Sequence, residues 1–67
     1  MRKIAGRIKV LRAEKKMTIL ELGKAVNVSD ATICRWENGI SDIKSDQLIA
    51  LAKFFEVITD YLVGLVD

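Results

Sequence analysis

The 67-residue sequence predicts an all-α protein built from five short helices. Three observations predict this fold class. Apolar residues recur at intervals of three and four along almost the whole chain, which is the spacing of one helix face. Proline is absent, and serine, threonine or asparagine interrupts the pattern at short intervals, as helix caps do. A chain of this length supports one modest core, so we expect a single domain over residues 1–67.

The first two helices follow from apolar spacing and from one capping motif. The first helix is predicted from apolar residues spaced by four and three, with basic residues between them: Ile4, Ile8 and Leu11. It is expected to end near Lys16. A second helix begins at Thr18, because Thr18 and Glu21 have the spacing of a capping box. It is short, since Asn27 suits the left-handed backbone of a tight turn.

The other three helices are predicted from their expected caps. Ser29 caps the third helix, and Asn38 with Gly39 ends it. Ser45 caps the fourth helix, and Thr59 caps the fifth. The fourth helix has a broad apolar face: Leu48, Ile49, Leu51, Ala52 and Phe55. Connections between the five helices are therefore brief.

The second and third helices meet the requirements of a helix-turn-helix unit, in which two short helices cross steeply over a short turn. Apolar residues stand where the inner faces and the turn must be filled: Leu22, Val26, Val28, Ile33 and Trp36. Gly23 stands where the two helices approach most closely, and Asn27 stands where the turn needs a positive φ. The unit is predicted over residues 19–38.

Charge is unevenly distributed along the chain, although the formal net charge is only +2. Residues 1–35 contain nine basic and three acidic residues, a net charge of +6. Residues 36–67 contain two basic and six acidic residues, a net charge of −4. A basic half beside an acidic half indicates one surface that faces a polyanion, with a merely solvated run of charges as the alternative.

The composition argues against several classes of protein. Histidine is absent and the single cysteine, Cys34, can form no internal disulfide, so we expect a reducing setting, no metal site and no cofactor. The lack of a catalytic base or an evident carboxylate pair argues against an enzyme. We find no signal-peptide pattern and no run of roughly 20 apolar residues that would cross a membrane. We therefore expect a soluble, cytoplasmic protein without a small-molecule ligand or a second, ligand-sensing domain.

Four segments resemble the Cro and lambda-repressor-like helix-turn-helix domains, also called the XRE family: Thr18-Ile19-Leu20-Glu21-Leu22, Val28-Ser29, Ile33-Cys34-Arg35-Trp36-Glu37-Asn38-Gly39 and Asp60-Tyr61-Leu62-Val63-Gly64. The similarity covers nearly the whole chain, including the number of helices. It implies a lambda-repressor-like fold and sequence-specific binding of double-stranded DNA. It further implies a transcriptional regulator, which we expect to be a repressor that binds a palindromic operator as a homodimer.

The resemblance implies that residues 29–37 form the recognition helix, whose amino-terminal end enters the major groove. Residues expected to point out of that end are Asp30, Ala31, Thr32, Cys34 and Arg35. Arg35 matches a base-reading position and can bond guanine O6 and N7, with phosphate contact or a solvated surface position as alternatives. Ser29 and Asn38 are expected to donate to phosphates, which fix the register.

The remaining residues of this helix have more than one interpretation. Ala31 and Thr32 could touch a thymine methyl group. Asp30 either accepts from cytosine N4 or caps its own helix. Cys34 is a small side chain facing the groove, and the alternative of a redox switch has no second cysteine to support it. Trp36 is expected to pack in the core, although its indole N–H could reach a phosphate.

The chain departs from the family at the start of the second helix. The family commonly has a phosphate-binding glutamine there, whereas this chain has Ile19 followed by Leu20. Neither side chain can donate a hydrogen bond, so Thr18, Lys24 or helix amides are expected to bind phosphate instead. In the alternative function, a protein-interaction module or antitoxin-type regulator, Ile19 and Leu20 or the C-terminal helix would bind a partner protein.

Two further expectations concern stability and assembly. Arg12 and Glu37 match family positions that form an ion pair between the first and third helices, so Arg12 is expected to be structural. At the carboxyl end, Tyr61 and Leu62 can complete the core, and the apolar residues left over are Val63, Leu65 and Val66. Surplus apolar surface often marks an interface. We therefore predict a two-fold homodimer through this end, with recognition helices about 34 Å apart.

Overall fold

The computed structural model describes residues 2–66, and its helices follow the predicted order. They are α1 (Arg2–Glu14), α2 (Ile19–Ala25), α3 (Asp30–Glu37), α4 (Ser45–Phe55) and α5 (Thr59–Val63). Residues 2–66 contain no strand, so the all-α prediction is confirmed. The ends of the predicted domain, Met1 and Asp67, lie outside the described residues.

Every helix contributes to one shared core. The largest side chains that are fully buried come one from each helix: Ile8, Leu22, Ile33, Leu51 and Leu62. Burying an aliphatic side chain of this size stabilises a fold by about 1.5–3 kcal/mol. In space, α1 packs against α3 and α5, α2 packs against α3, and α4 packs against α5. The helix-turn-helix unit is thus supported from behind by α1.

The predicted caps around α2 and α3 are confirmed. The Thr18 hydroxyl accepts from the Glu21 amide at 3.1 Å, and the Thr18 amide donates to Glu21 Oε1 at 2.8 Å. Ser29 Oγ accepts from the Thr32 amide at 3.1 Å at the start of α3. Asn27 has a φ of 63°, as the turn between the two helices requires.

The predicted caps of α4 and α5 are wrong by one residue. The N-cap of α4 is Lys44 and that of α5 is Ile58, so Ser45 and Thr59 are the first residues inside their helices. At the start of α4 the capping hydrogen bond involves the side chain of Gln47, whereas Ser45 was the expected cap. The Lys44 amide donates to Gln47 Oε1 at 3.0 Å, which satisfies one of the open amides at the start of the helix without a capping hydroxyl.

The apolar face of α4 is narrower than predicted. Leu51, Ala52 and Phe55 are buried, but Ile49 is 49% exposed. Successive residues of a helix are about 100° apart, so Ile49 lies on the flank of the stripe that these three residues define. Tyr61, expected to complete the core, is only half-buried. None of the described helices is long and apolar enough to span a membrane.

Candidate nucleic-acid interface

A backbone-to-backbone approach fixes how α3 is held against α2. Residues 26–29 form the turn, and the Val28 amide donates to the Gly23 carbonyl at 2.8 Å. A Cβ added to Gly23 would lie 2.7 Å from the Val28 carbonyl oxygen. Only a residue without a side chain allows this approach. The position of α3 is therefore set by main-chain atoms that cannot move aside independently.

The two faces of α3 differ in exposure. Ile33 and Trp36 are buried in the core, so the opposite face of the helix must point away from the protein. That face carries exposed residues at the spacing of one helical stripe: Ala31, Cys34, Arg35 and Asn38. The structure thus brings together four of the residues that the sequence analysis assigned to DNA, and buries Trp36 as expected.

Polar side chains cluster at the amino-terminal end of α3. Ser29 Oγ lies 2.9 Å from Thr32 Oγ1, and Arg35 Nη2 lies 3.5 Å from the same Thr32 oxygen. Asp30 Oδ1 accepts from the Ala31 amide at 2.9 Å. The Asp30 carboxylate is therefore engaged with its own helix, in line with the capping alternative. Ser29, Thr32 and Arg35 form a connected row.

Asn38 ends α3 and turns its donors inward. Its backbone amide donates to the Cys34 carbonyl at 3.1 Å, and its side-chain Nδ2 donates to the same oxygen at 2.7 Å. Nδ2 also lies 3.4 Å from Cys34 Sγ. An amide group carries two hydrogens, and both have an acceptor on Cys34, so a phosphate would have to displace the longer contact to Sγ. The backbone amide is already used.

Helix α2 offers one anion, Glu21, in its first turn and one exposed cation, Lys24, in its last turn. Lys24 is exposed, whereas Thr18 is engaged in the capping box. The hydrogen bond from the Thr18 backbone amide lowers the pKa of Glu21, so a carboxylate stands beside Thr18 at neutral pH. Because that charge repels phosphate, Lys24 is better placed than Thr18 to bind it. Ile19 packs against the core, while Leu20 is 52% exposed.

The structure places the Arg12 guanidinium against the Glu37 carboxylate. Arg12 Nε donates to Glu37 Oε2 at 2.7 Å and Nη2 donates to Oε1 at 3.0 Å, a bidentate pair that joins α1 to α3. The remaining Nη1 donates to the Met17 carbonyl at 2.8 Å. This pair raises the pKa of Arg12. Arg12 thus faces the protein and not the exposed stripe of α3.

Sequence reasoning missed the position of Arg7. Its guanidinium donates to the carbonyls of Tyr61 and Val66, the latter at 2.6 Å, and lies 4.3 Å from the centre of the Tyr61 ring. These contacts tie α1 to α5. Two arginines of the basic half therefore serve the fold, and the polyanion-facing charge comes from fewer residues than the count suggests. No local pattern marks Arg7, because the carbonyls of Tyr61 and Val66 lie more than 50 residues away in the sequence.

Comparisons with known proteins agree with this geometry. A family model described as helix-turn-helix matches residues 8–62. A crystal structure of the P22 c2 repressor in complex with a synthetic operator is similar, with a TM-score of 0.86 and 32% identity over 92% of this chain and 94% of that one. The solution structure of the P22 c2 repressor DNA-binding domain is also similar, with a TM-score of 0.84 and 32% identity over 94% and 86%. No match was found among curated proteins. The chain therefore belongs to the helix-turn-helix family and has the lambda-repressor-like fold.

Proposed function

We propose that this protein is a repressor that binds double-stranded DNA in a sequence-specific manner through α3. The observation that carries the proposal is the similarity, over nearly the whole chain, to a repressor whose structure was determined with its operator. The exposed stripe of α3 supports it independently, because a rigidly held helix with a polar outer face suits the major groove. Such a function requires no chemical step and no cofactor.

The residues of the exposed stripe, together with Ser29 and Lys24 outside it, have separate tasks in this proposal. Arg35 reads a guanine through O6 and N7, the commonest specific contact of an arginine. Ala31 and Cys34 are small enough to lie against the bases. Ser29 and Lys24 bind phosphates, and Asn38 adds a third such contact when a phosphate displaces Cys34 Sγ from its side-chain amide. Phosphate contacts fix the register in which Arg35 meets its base.

We also propose that two copies bind a palindromic operator through the carboxyl end. Leu65 is 75% exposed, and Val66 and Ile58 are exposed as well. Val63 packs partly against the core, so its contribution to an interface is smaller than its position in the sequence suggests. A two-fold contact of this kind presents two recognition helices to successive turns of the groove.

The alternative of a partner-binding surface at Ile19 and Leu20 has weaker support. Ile19 packs against the core, which leaves Leu20 as an isolated apolar side chain on the surface of α2. Single exposed apolar residues are common and need no partner. We therefore retain DNA as the ligand of the helix-turn-helix unit.

Selection of bound sequences from a random DNA pool, followed by affinity measurements on the selected operator, tests the proposal. We expect the logarithm of the affinity to fall linearly with the logarithm of the salt concentration, since binding releases counterions. Arg35→Ala is expected to weaken operator binding by about 1–3 kcal/mol, or roughly five- to 150-fold.

Lys53→Ala is the matched control for charge. Lys53 is an exposed cation in the last turn of α4, so its loss removes one positive charge without touching α3. We expect its operator affinity and salt slope to stay close to those of the wild type. Failure to enrich any sequence, or an equal loss of affinity in both variants, would contradict the proposed role of α3.

A further inference from the structure

Three polar side chains form a row along one side of α3. Ser29, Thr32 and Arg35 are each three residues apart, a spacing that makes side chains neighbours on a helix. Thr32 Oγ1 lies 2.9 Å from Ser29 Oγ and 3.5 Å from Arg35 Nη2. The Thr32 hydroxyl is therefore the middle member of the row and touches both the helix cap and the arginine.

The chemistry of the three groups fixes one hydrogen-bond direction in the row. A guanidinium can only donate, so Thr32 Oγ1 must accept from Arg35. Either hydroxyl can donate across the contact between Ser29 Oγ and Thr32 Oγ1, and Ser29 Oγ also accepts from the Thr32 backbone amide at 3.1 Å. The row thus starts at the Arg35 donor and ends at the Ser29 cap.

We propose that Thr32 is a positioning residue for DNA recognition, an inference that rests on the proposed function. Its hydroxyl draws the Arg35 guanidinium toward the amino-terminal end of α3, where that helix meets the bases. The same hydroxyl contacts Ser29 Oγ at 2.9 Å, and Ser29 is a proposed phosphate-binding residue. One side chain thereby links the guanine-reading arginine to the phosphate contact that sets its register.

The size of the effect follows from the length of the bond. At 3.5 Å the contact is long, so it biases the rotamers of an exposed arginine without locking them. Ordering a flexible side chain before binding improves affinity by about two- to tenfold. The guanidinium has five N–H donors, and the remaining ones can face the base edge.

A purely local role for Thr32 makes a different prediction. The cap of α3 uses the Thr32 backbone amide, which every residue except proline supplies. Removing only the hydroxyl therefore leaves the cap intact. If the Ser29–Thr32 contact merely stabilises the end of the helix, its loss will change the melting temperature and leave base preference unaltered.

Two variants separate these roles when operator binding is measured. Thr32→Val keeps the shape of the side chain and removes the hydroxyl, whereas Thr32→Ser keeps the hydroxyl. The base pair that Arg35 reads is first located with Arg35→Ala on operators substituted one position at a time. We expect Thr32→Val to reduce guanine preference about two- to tenfold at that base pair and at no other, and Thr32→Ser to restore it. Unchanged preference there, or a change at a different base pair, would overturn the inference.

A measurement without DNA keeps this inference distinct from the proposed function. Nuclear magnetic resonance relaxation of the Arg35 Nε–Hε group is expected to show greater mobility in Thr32→Val than in the wild type, and recovery in Thr32→Ser. Equal mobility in all three proteins would overturn the inference even if the operator is bound. Restricted mobility in a protein that selects no DNA would instead refute the proposed function and the recognition role of Thr32, while the Arg35–Thr32 contact would stand.

Discussion

Glu37 is the last residue of α3, and its side chain is only 5% exposed. Both of its oxygens accept from Arg12, which also donates to the Met17 carbonyl. This one guanidinium therefore joins the end of α1, the loop before α2 and the end of the recognition helix. Two residues earlier, Arg35 is exposed and its nearest described partner is the long contact to Thr32. Two residues in the last turn of α3 thus have separate roles, Glu37 in stability and Arg35 in the proposed recognition of DNA.

Glu37→Ala is expected to lower the free energy of unfolding by about 3–5 kcal/mol, because it leaves the Arg12 charge enclosed without its partner. Urea unfolding, with thermal melting as a second measurement, checks the value. Arg35→Ala is the control on the same helix, and an exposed substitution of this kind changes stability by no more than about 0.5 kcal/mol. Equal losses in the two variants would contradict this separation of roles.

At the scale of single residues, the sequence predicted which side chains are buried, but not the hydrogen-bond partners of Arg35 and Arg7. The buried positions Leu22, Ile33 and Trp36 follow from helical spacing, because burial is periodic along a helix. The contact between Thr32 and Arg35 has no such signal, since it depends on one rotamer of a flexible side chain. Arg7 donates to two carbonyls from the far end of the chain, and only folding brings these carbonyls to it.

At the scale of elements, the crossing of α2 and α3 depends on Gly23. The nearest atoms to an added Cβ would be the Val28 carbonyl oxygen at 2.7 Å and the Ser29 carbonyl carbon at 3.3 Å. Both are backbone atoms at the entrance to the recognition helix. A methyl group there must push the two helices apart, and α3 would then be presented to DNA at a different angle.

Gly23→Ala is expected to destabilise the fold by about 1–3 kcal/mol through overpacking. Gly6→Ala is a closely matched control, because Gly6 is also a helical glycine but has nothing within 4 Å of its added Cβ. Alanine at that exposed position of α1 should instead stabilise by roughly 0.5–1 kcal/mol. Opposite shifts of the urea midpoint are the expected outcome, and a stabilised Gly23→Ala protein would show that the crossing tolerates a side chain.

At the scale of elements, the sequence predicted some helix boundaries correctly and missed others. Thr18 and Ser29 were predicted correctly because each hydroxyl finds an amide three residues on. At α4 the signal lay one residue earlier, where Gln47 stands three residues after Lys44 and accepts from its amide. The glutamine half of a capping box can thus form without a serine or threonine at the cap. A rule that looks first for serine or threonine at the cap misses this arrangement.

At the scale of the whole molecule, the two ends of the chain are fastened together beside the proposed dimer surface. Arg7 of α1 holds the carbonyls of Tyr61 and Val66, and Gly64 makes the turn after α5 with a φ of 86°. The backbone of the last described residues is therefore held in place, while the Leu65 side chain points into solvent. An ordered backbone with an exposed apolar side chain lowers the entropic cost of association.

Sedimentation at tens of micromolar is expected to find a dimer that Leu65→Asp converts to a monomer, since a charge on each copy would face its partner. Leu20→Asp is the control, because it places the same charge on an exposed leucine of α2, away from α5. We expect that variant to remain dimeric in the absence of DNA. A wild-type protein that sediments as a monomer with and without operator would refute the dimer.

The burial of Trp36 gives this protein an internal optical reporter. Trp36 is the only tryptophan in the sequence and is 2% exposed, on the buried face of α3. The fluorescence emission of an indole shifts to longer wavelength when the ring becomes exposed to water. The emission wavelength of Trp36 therefore reports whether α3 is packed against the core. Because the ring faces the core, bound DNA does not have to touch it. Fluorescence can therefore distinguish a variant in which α3 no longer packs against the core from a variant that has lost only its affinity for DNA.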